Sequence, residues 1–286
     1  MVTKGLASAG VSLITAATVL ISSCQRAPGG QTSKMLVSTF LFSVHSGCPI
    51  DSVDVFVYSD EGIRQLDSYC RVPADKSITV KTGEGDKTVV LLANVPGSFA
   101  TGRLQRFDAM ESLSMRYTSE SAASPLLSGV CHTSGGTGQN VLLTPLLCPI
   151  IIGTVRNSLD APLADPVICL KGVNAHAEVL RSSGFRPSET IDSPEALRDP
   201  SIMVRGLPFD AADSPSEAGI TLYCYPNDIG DATAGALPTS ICLAGKLHGK
   251  DRCFEAALPS IARGDTLQVN LDIDKDGRLL ASITKI

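Results

Sequence analysis

The sequence has no tryptophan and few aromatic residues of any kind. Five tyrosines and eight phenylalanines occur among 286 residues, so aromatic side chains make up 5% of the chain. Carbohydrate-binding modules commonly use exposed aromatic rings as platforms for sugars, because such rings offer a large apolar face. This scarcity disfavours a lectin-like protein.

Motifs that would indicate an enzyme or a cofactor site are also missing. No Cys-x-x-Cys pair occurs, so neither a zinc site nor a thioredoxin-like centre is predicted. There is no Gly-x-Ser-x-Gly sequence, and the glycine clusters at 83–85 and 134–138 lack the Lys-Ser/Thr ending of a phosphate-binding loop. The histidines show no metal or general-base spacing: His45, His132, His176 and His248. We therefore predict a protein that is not an enzyme and holds no cofactor or metal.

One segment, 272–277, resembles the first half of an EF-hand calcium loop. Such a loop ends in a bidentate glutamate at its twelfth position, and that position here is Ile283. The flanking residues alternate between apolar and polar, as strands do, whereas a calcium loop of this kind requires helices. The segment is therefore predicted to form a hairpin turn at 275–277.

The balance of charge excludes another class of partner. The chain carries 24 Lys and Arg against 29 Asp and Glu, a formal net charge of −5. A weakly acidic chain has no electrostatic attraction for nucleic acid or for an anionic membrane surface. We predict no nucleic-acid partner, and membrane attachment has to come from a lipid.

The first 24 residues have the pattern of an export signal that ends at a cysteine. Lys4 precedes a run of small and apolar residues at 5–21, shorter than the ~20 residues that a membrane-spanning helix needs. The run closes on Ile-Ser-Ser-Cys, which resembles the lipobox of bacterial lipoproteins, whose cysteine is acylated and becomes the mature N-terminus. This pattern predicts a signal peptide at 1–23, a palmitate-type acylation of Cys24, and a flexible tether at 24–34.

Eight cysteines follow Cys24, and an even number in an exported protein suggests disulfides. A turn at 248–251 would place Cys242 opposite Ala257, and its α-carbon would then lie beyond the ~7 Å that a disulfide to Cys253 can span. Most of the others lie in apolar runs, where cysteine behaves as a small hydrophobic residue. We therefore predict mostly unpaired, buried thiols at these positions: Cys48, Cys70, Cys131, Cys148, Cys169, Cys224, Cys242 and Cys253.

Short apolar segments with strand-like alternation recur along the rest of the chain, bounded by turn-forming residues. This pattern favours an all-β antiparallel sandwich. Only 103–117 has helix-like spacing, and 181–216 is predicted to be a long loop because it is rich in Ser, Pro and Asp. One strand ends and another begins near Leu146, which predicts β-domains at 35–147 and 148–286. The strands are expected at 35–44, 52–58, 77–81, 87–95, 139–144, 149–156, 167–173, 219–225, 239–247, 251–258, 266–273 and 278–283.

Five segments stand in a characteristic order behind the lipobox and the tether. They are VDVFVYSDEG (53–62), VVLLANVP (89–96), QNVLLTPLLCPIIIGTVRNSL (139–159), LYCYPND (222–228) and LPSIARGDTLQVNLDI (258–273). In this order they resemble the fimbrillin superfamily of Bacteroidales, and the resemblance spans nearly the whole mature chain. It implies two tandem transthyretin-like Greek-key β-sandwich domains, a structural role in cell-surface fimbriae, and assembly with other fimbrial subunits by β-strand donation.

The resemblance also implies a position within the fimbrium. Stalk subunits of the superfamily are cut, usually at Arg, in the loop after the first strand, which removes that strand and the lipid and opens a groove for a neighbour's strand. Here the corresponding loop, 45–51, holds no Arg or Lys, while Arg26 and Lys34 precede the strand. The chain is therefore expected to be an anchor or accessory subunit that stays attached to the cell outer membrane through its lipid.

The expected donor is the C-terminal strand. The segment 278–286 alternates so that Leu279, Ala281 and Ile283 face one way, and these residues are predicted to enter a neighbour's groove. One alternative is a surface lipoprotein that binds a glycan or another ligand. A second alternative is an envelope hydrolase, which would need a clustered nucleophile and base that the sequence does not display.

Overall fold

We describe the chain from a computed structural model. The structure describes residues 25–26, 36–44, 48–74, 77–96, 101–134, 137–180, 190–191, 203–205, 216–227 and 238–286. The predicted signal peptide, Cys24 and most of the predicted loop at 181–216 lie outside these residues.

Twenty strands and very little helix make up the described part of the chain, so the all-β prediction is confirmed. The helical segments are single turns: Thr101–Arg103, Phe107–Glu111 (α1) and Tyr117–Ser119. In the described ranges, none of the helices has the length and apolar character needed to span a membrane. The strands are β1 Gln25–Arg26, β2 Leu36–Val44, β3 Ser52–Ser59, β4 Leu66–Pro73, β5 Ser77–Thr82, β6 Lys87–Ala93, β7 Ser114–Arg116, β8 Leu127–Thr133, β9 Thr137–Pro145, β10 Cys148–Asn157, β11 Ala164–Lys171, β12 Val173–Asn174, β13 His176–Glu178, β14 Thr190–Ile191, β15 Met203–Arg205, β16 Ser216–Cys224, β17 Ser240–Leu247, β18 Lys250–Ala257, β19 Leu267–Ile273 and β20 Leu279–Lys285.

The N-terminal strands form one sheet of order β1-β4-β3-β6-β8-β9-β2-β5, which folds over on itself. Strands β1, β4, β3, β6 and β8 make an inner layer, and β9, β2 and β5 make an outer layer. Apolar side chains of both layers pack together in one core, with Val55 and Leu91 facing Phe40 and Val141. The two layers are therefore the halves of a β-sandwich.

The inner layer is buried on its other face as well. Phe56 and Tyr58 of β3 and Val90 of β6 belong to a second core, which they share with residues 148–279. Strand β3 is consequently buried on both faces. Its alternate side chains enter two different cores, and neither face is polar. This core joins the N-terminal sandwich to the rest of the chain.

The C-terminal strands form two four-stranded sheets. The first C-terminal sheet has the order β16-β10-β19-β20 and the second has the order β15-β11-β17-β18. Side chains of both sheets, including Ile150, Val269, Ile168 and Leu243, meet in the second core.

The helix expected within 103–117 is present only as the short helix α1, because the apolar spacing is too irregular for one long helical face. Phe107 and Met110 are buried from α1, and Leu104 is buried from the segment before it. Strands β5 and β6 are consecutive in the chain but do not form a hairpin, because β5 pairs with β2 while β6 pairs with β3 and β8.

The predicted register around the β17–β18 turn was wrong, and with it the prediction that Cys242 and Cys253 are unpaired. His248 and Gly249 both adopt positive φ angles, 50° and 74°, which is typical of a two-residue type I′ hairpin. The turn is thus shorter than predicted, and Cys242 lies opposite Glu255 instead of Ala257. The α-carbons of Cys242 and Cys253 are 6.5 Å apart, and the two residues form a disulfide. The remaining cysteines of the described part are thiols.

Candidate assembly site

The first long strand of the chain, β2, is an interior strand of the outer layer. It pairs in parallel with β9 from Thr39 to Val44 and antiparallel with β5 from Leu36 to Leu41. Both edges of β2 therefore carry ladder hydrogen bonds. It is the strand that the sequence predicted at 35–44.

Alternate side chains of β2 face the core of the sandwich. Phe40 is fully buried, and Phe42 and Val44 pack against the same core. Ser38 is 1% exposed, and its hydroxyl has no hydrogen-bond partner among the described residues. A buried hydroxyl without a partner costs about 1–3 kcal/mol, so β2 fills its groove with one unfavourable contact.

The described part of the loop after β2 is held to the sandwich. The side-chain amide of Asn94 donates to the carbonyl oxygens of Pro49 at 2.9 Å and Pro125 at 3.1 Å, and its oxygen accepts from the Asp51 N–H at 3.2 Å. Ile50 packs against the core beneath β2. Residues 45–47, the rest of the predicted loop, lie outside the described residues.

Strand β20, the predicted donor, lies at the edge of the first C-terminal sheet. It pairs antiparallel with β19, from the pair of Ile273 and Leu279 beside the turn to the pair of Leu267 and Lys285 at the end of the strand. Leu279, Ala281 and Ile283 do share one face, as predicted, and this face packs on the chain's own second core. The opposite face is exposed, with Leu280 52% accessible.

The hairpin turn predicted before β20 is confirmed. One carboxylate oxygen of Asp274 accepts hydrogen bonds from the N–H groups of Asp276 at 2.9 Å and Arg278 at 2.8 Å. Gly277 has a φ of 75°, which glycine adopts without strain. The acidic residues of this segment therefore organise a turn.

A polar cluster that the sequence did not indicate joins the N-terminal sandwich to the C-terminal sheets. The guanidinium of Arg263 donates to the Ser128 hydroxyl at 2.6 Å, the Thr144 carbonyl at 2.6 Å and the Val179 carbonyl at 2.8 Å. Arg263 belongs to a turn that Asp265 closes by accepting from the Ala262 N–H at 2.7 Å. No periodicity marks such an arginine, because its partners are two backbone carbonyls and a hydroxyl that are remote in sequence.

Glu120 is the second member of this cluster. Its carboxylate accepts from the Leu126 N–H at 2.9 Å and from the Tyr225 hydroxyl at 2.5 Å. Burial raises the pKa of Glu120 to about 7, although both hydrogen bonds and the charge of Arg263 act in the opposite direction. The Tyr117 ring packs edge-on against Tyr225 at 5.5 Å, so the hydroxyl of Tyr225 is held in place.

Two of the histidines that the sequence analysis considered lie in separate neighbourhoods: His132 is near Thr88 and Asp60, and His248 is near Asp160 on the surface. His45 lies outside the described residues. Across the described ranges, no group of three or more His, Cys, Asp or Glu side chains could hold a metal ion.

Comparison with known proteins identifies the fold. No protein-family model and no curated protein match the chain. Solved structures do, and one is a protein assigned to cell adhesion, from Bacteroides eggerthii, with a TM-score of 0.63 and 13% identity over 90% of this chain and 97% of that one. Fimbrilin FimA of Porphyromonas gingivalis has a TM-score of 0.60 and 12% identity over 87% and 97% of the two chains. The C-terminally truncated tip fimbrial protein Mfa3 of that species has a TM-score of 0.59 and 11% identity over 88% and 100%. The chain therefore shares its fold with these fimbrial and cell-adhesion proteins.

Proposed function

We propose that the chain is a structural subunit of cell-surface fimbriae, an anchor or accessory subunit held at the outer membrane by lipid on Cys24. The fold supports the fimbrial part of this proposal, because fimbrilin and a tip fimbrial protein share it. The observation that carries the anchor part is β2, which pairs along both edges and is not followed by an Arg or Lys before β3.

An intact β2 restricts how the subunit can assemble. A groove already filled by β2 has no room for a neighbour's strand, so the subunit would give a strand and would not accept one. Proteolysis at Arg26 or Lys34 would not remove β2, because both residues precede the strand. A cut at either residue would release the lipid and leave the groove filled.

The donor in this proposal is β20, through Leu279, Ala281 and Ile283. Donation requires β20 to leave β19 and to withdraw these side chains from the second core. The exchange is favourable only if the neighbour's groove buries at least as much apolar surface, because burial contributes about 25 cal/mol per Å². The edge position of β20 favours such an exchange, since one side of its backbone has no partner strand among the described residues.

The N-terminal residue of the protein isolated from its own cell surface tests the proposal. We expect mass spectrometry to find an acylated Cys24 as the first residue, together with incorporation of labelled palmitate that a Cys24→Ala variant abolishes. A Cys131→Ala variant serves as the matched control and should incorporate label normally. An N-terminus between Cys48 and Ser52 would show a processed stalk subunit and contradict the anchor role.

A further inference from the structure

Three cysteines converge on one face of the second C-terminal sheet. Cys169 of β11 lies directly opposite Cys242 of β17, and Cys242 is joined to Cys253 of β18. Their neighbours Ile168 and Leu243 point to the opposite side, into the second core, so alternation places all three sulfurs on the same face of the sheet.

The strand order places Cys242 between the other two cysteines, with Cys169 directly opposite it and Cys253 diagonal to it, opposite Ala244. Strands β11, β17 and β18 are consecutive neighbours, so Cys242 lies between the other two cysteines. Adjacent strands are about 4.8 Å apart, so Cys169 is the direct cross-strand neighbour of Cys242 on the side of β17 away from β18. In thiol–disulfide exchange a thiolate attacks one sulfur of a disulfide and displaces the other, and Cys169 is the cysteine placed to attack the Cys242 sulfur.

Charge and exposure distinguish the two outer cysteines. Cys169 is 2% exposed, whereas Cys253 is exposed at the edge strand of the sheet. The ammonium of Lys171 lies 3.5 Å from the Cys253 sulfur and 2.9 Å from the Glu255 carboxylate. A cation at this distance stabilises negative charge on the departing sulfur.

We propose that Cys169, Cys242 and Cys253 form a thiol–disulfide exchange unit that presents Cys253 as a modification site for small external disulfides. The Cys169 thiol loses its proton to solvent, and its sulfur forms a bond to the Cys242 sulfur. The Cys242–Cys253 bond breaks, and its electron pair leaves with Cys253 as a thiolate. No external oxidant or reductant is needed, because one disulfide and one thiol are present before and after the exchange.

The released Cys253 thiolate then reacts with an external disulfide. Its sulfur attacks one sulfur of the disulfide R–S–S–R, forms the mixed disulfide Cys253–S–S–R, and displaces the second sulfur as a thiolate that takes a proton from water. The buried Cys169–Cys242 disulfide stays behind. The site is therefore specific for compounds that contain an accessible disulfide.

Bis(2-hydroxyethyl) disulfide is a suitable probe because it is small and uncharged. The full mature chain is incubated with it at pH 8.5, because burial raises the pKa of the Cys169 thiol. Acid quenching and non-reducing peptide mapping then read every cysteine separately. We expect a 2-mercaptoethanol adduct on Cys253 together with a Cys169–Cys242 cross-link.

A Cys169→Ala variant should keep the Cys242–Cys253 disulfide and reduce the adduct on Cys253 by at least about tenfold, since no internal nucleophile remains. A Cys131→Ala variant is the matched control, because it removes a thiol of the N-terminal sheet and should leave the adduct unchanged. Lys171→Gln gives a second test that keeps Cys169, and we expect the adduct to form about fivefold more slowly without the cation.

Three results would overturn the proposal. The first is an adduct on Cys169 with the Cys242–Cys253 disulfide intact. The second is equal modification of Cys253 in the Cys169→Ala variant. The third is no adduct on either residue. The fully buried thiol of Cys224 is an internal reference that should stay unmodified in every sample, because burial raises its pKa well above the usual value.

Discussion

The guanidinium of Arg263 donates a 2.6 Å hydrogen bond to the carbonyl oxygen of Thr144, a residue 119 positions earlier in the chain. Thr144 of β9 is paired with Ser128 of β8, at the point where the inner and outer layers of the N-terminal sandwich are joined. Arg263 binds both members of this pair. A turn of the C-terminal region thus holds the junction of the two N-terminal layers.

Replacing Arg263 should therefore destabilise the whole chain. We expect Arg263→Leu to lower the free energy of unfolding by about 3 kcal/mol, because the Ser128 hydroxyl and the Thr144 carbonyl would lose their charged donor, while the Val179 carbonyl would keep only the Ser128 hydroxyl. Arg263→Lys should lose about 2 kcal/mol, since a single ammonium cannot reproduce the forked geometry of the guanidinium. Urea denaturation measures both variants. Arg252→Lys, at an exposed position of β18, is the control and should stay within about 0.5 kcal/mol of the parent protein.

Glu120 should make stability depend on pH. Its pKa is about 7 in the fold and 4.5 without the fold's influence, so the folded chain binds the proton more tightly. Folding therefore favours the protonated form of Glu120. This contribution to the free energy of unfolding is complete below about pH 4.5 and is lost as the pH rises to about 7. The full loss is about 3 kcal/mol for a shift of this size.

A Glu120→Gln variant isolates this contribution from those of other groups. The difference in free energy of unfolding between the variant and the parent protein should shift by about 3 kcal/mol in favour of the variant from pH 4.5 to pH 8. Glutamine carries no charge to desolvate, so the variant does not lose this stability as the pH rises. Denaturation curves at several pH values give the difference. A difference that does not change with pH would show that Glu120 titrates normally.

Ser38 offers a stabilising substitution in β2. Its buried hydroxyl lacks a partner among the described residues, so Ser38→Ala should raise the free energy of unfolding by about 1 kcal/mol. Ser43→Ala, on the exposed side of the same strand, is the matched control and should change it by less than about 0.5 kcal/mol. Loss of stability in Ser38→Ala would indicate that the hydroxyl is satisfied.

Deleting residues 279–286 tests donation by β20. We expect the truncated protein to remain folded and lipidated while fimbriae detach into the medium. Its stability should fall by about 2–5 kcal/mol, since Leu279 leaves the second core. Electron microscopy of cells and medium, with circular dichroism of the purified protein, reads both effects.

Leu280→Ser is the control for this deletion, because Leu280 points away from the core, and the variant should keep fimbriae attached. Degradation of the truncated protein would mean that β20 serves only its own sheet. Fimbriae that stay attached after the deletion would show that this end of the chain does not donate a strand.

The sequence by itself determined the class of fold and several of its elements. Alternation located β3, β19 and β20, a continuous apolar run located β6, and the pattern of Asp274 and Gly277 located the turn of the last hairpin. These features are local, because a strand's alternation and a turn's glycine depend on a few neighbouring residues. Alternation also assigned Leu279, Ala281 and Ile283 to one face of β20.

Only the tertiary structure decided which strands pair and which side chains meet. Strand β5 pairs with β2 and not with its neighbour β6, because ladder partners are chosen by the packing of the whole sandwich. A two-residue turn at His248 moved Cys242 into reach of Cys253, since a small change in loop length shifts the register of an entire hairpin. Arg263 binds the Ser128–Thr144 pair through acceptors on strands more than 100 residues away. Such contacts are made between groups brought together by folding, so no local pattern in the chain encodes them.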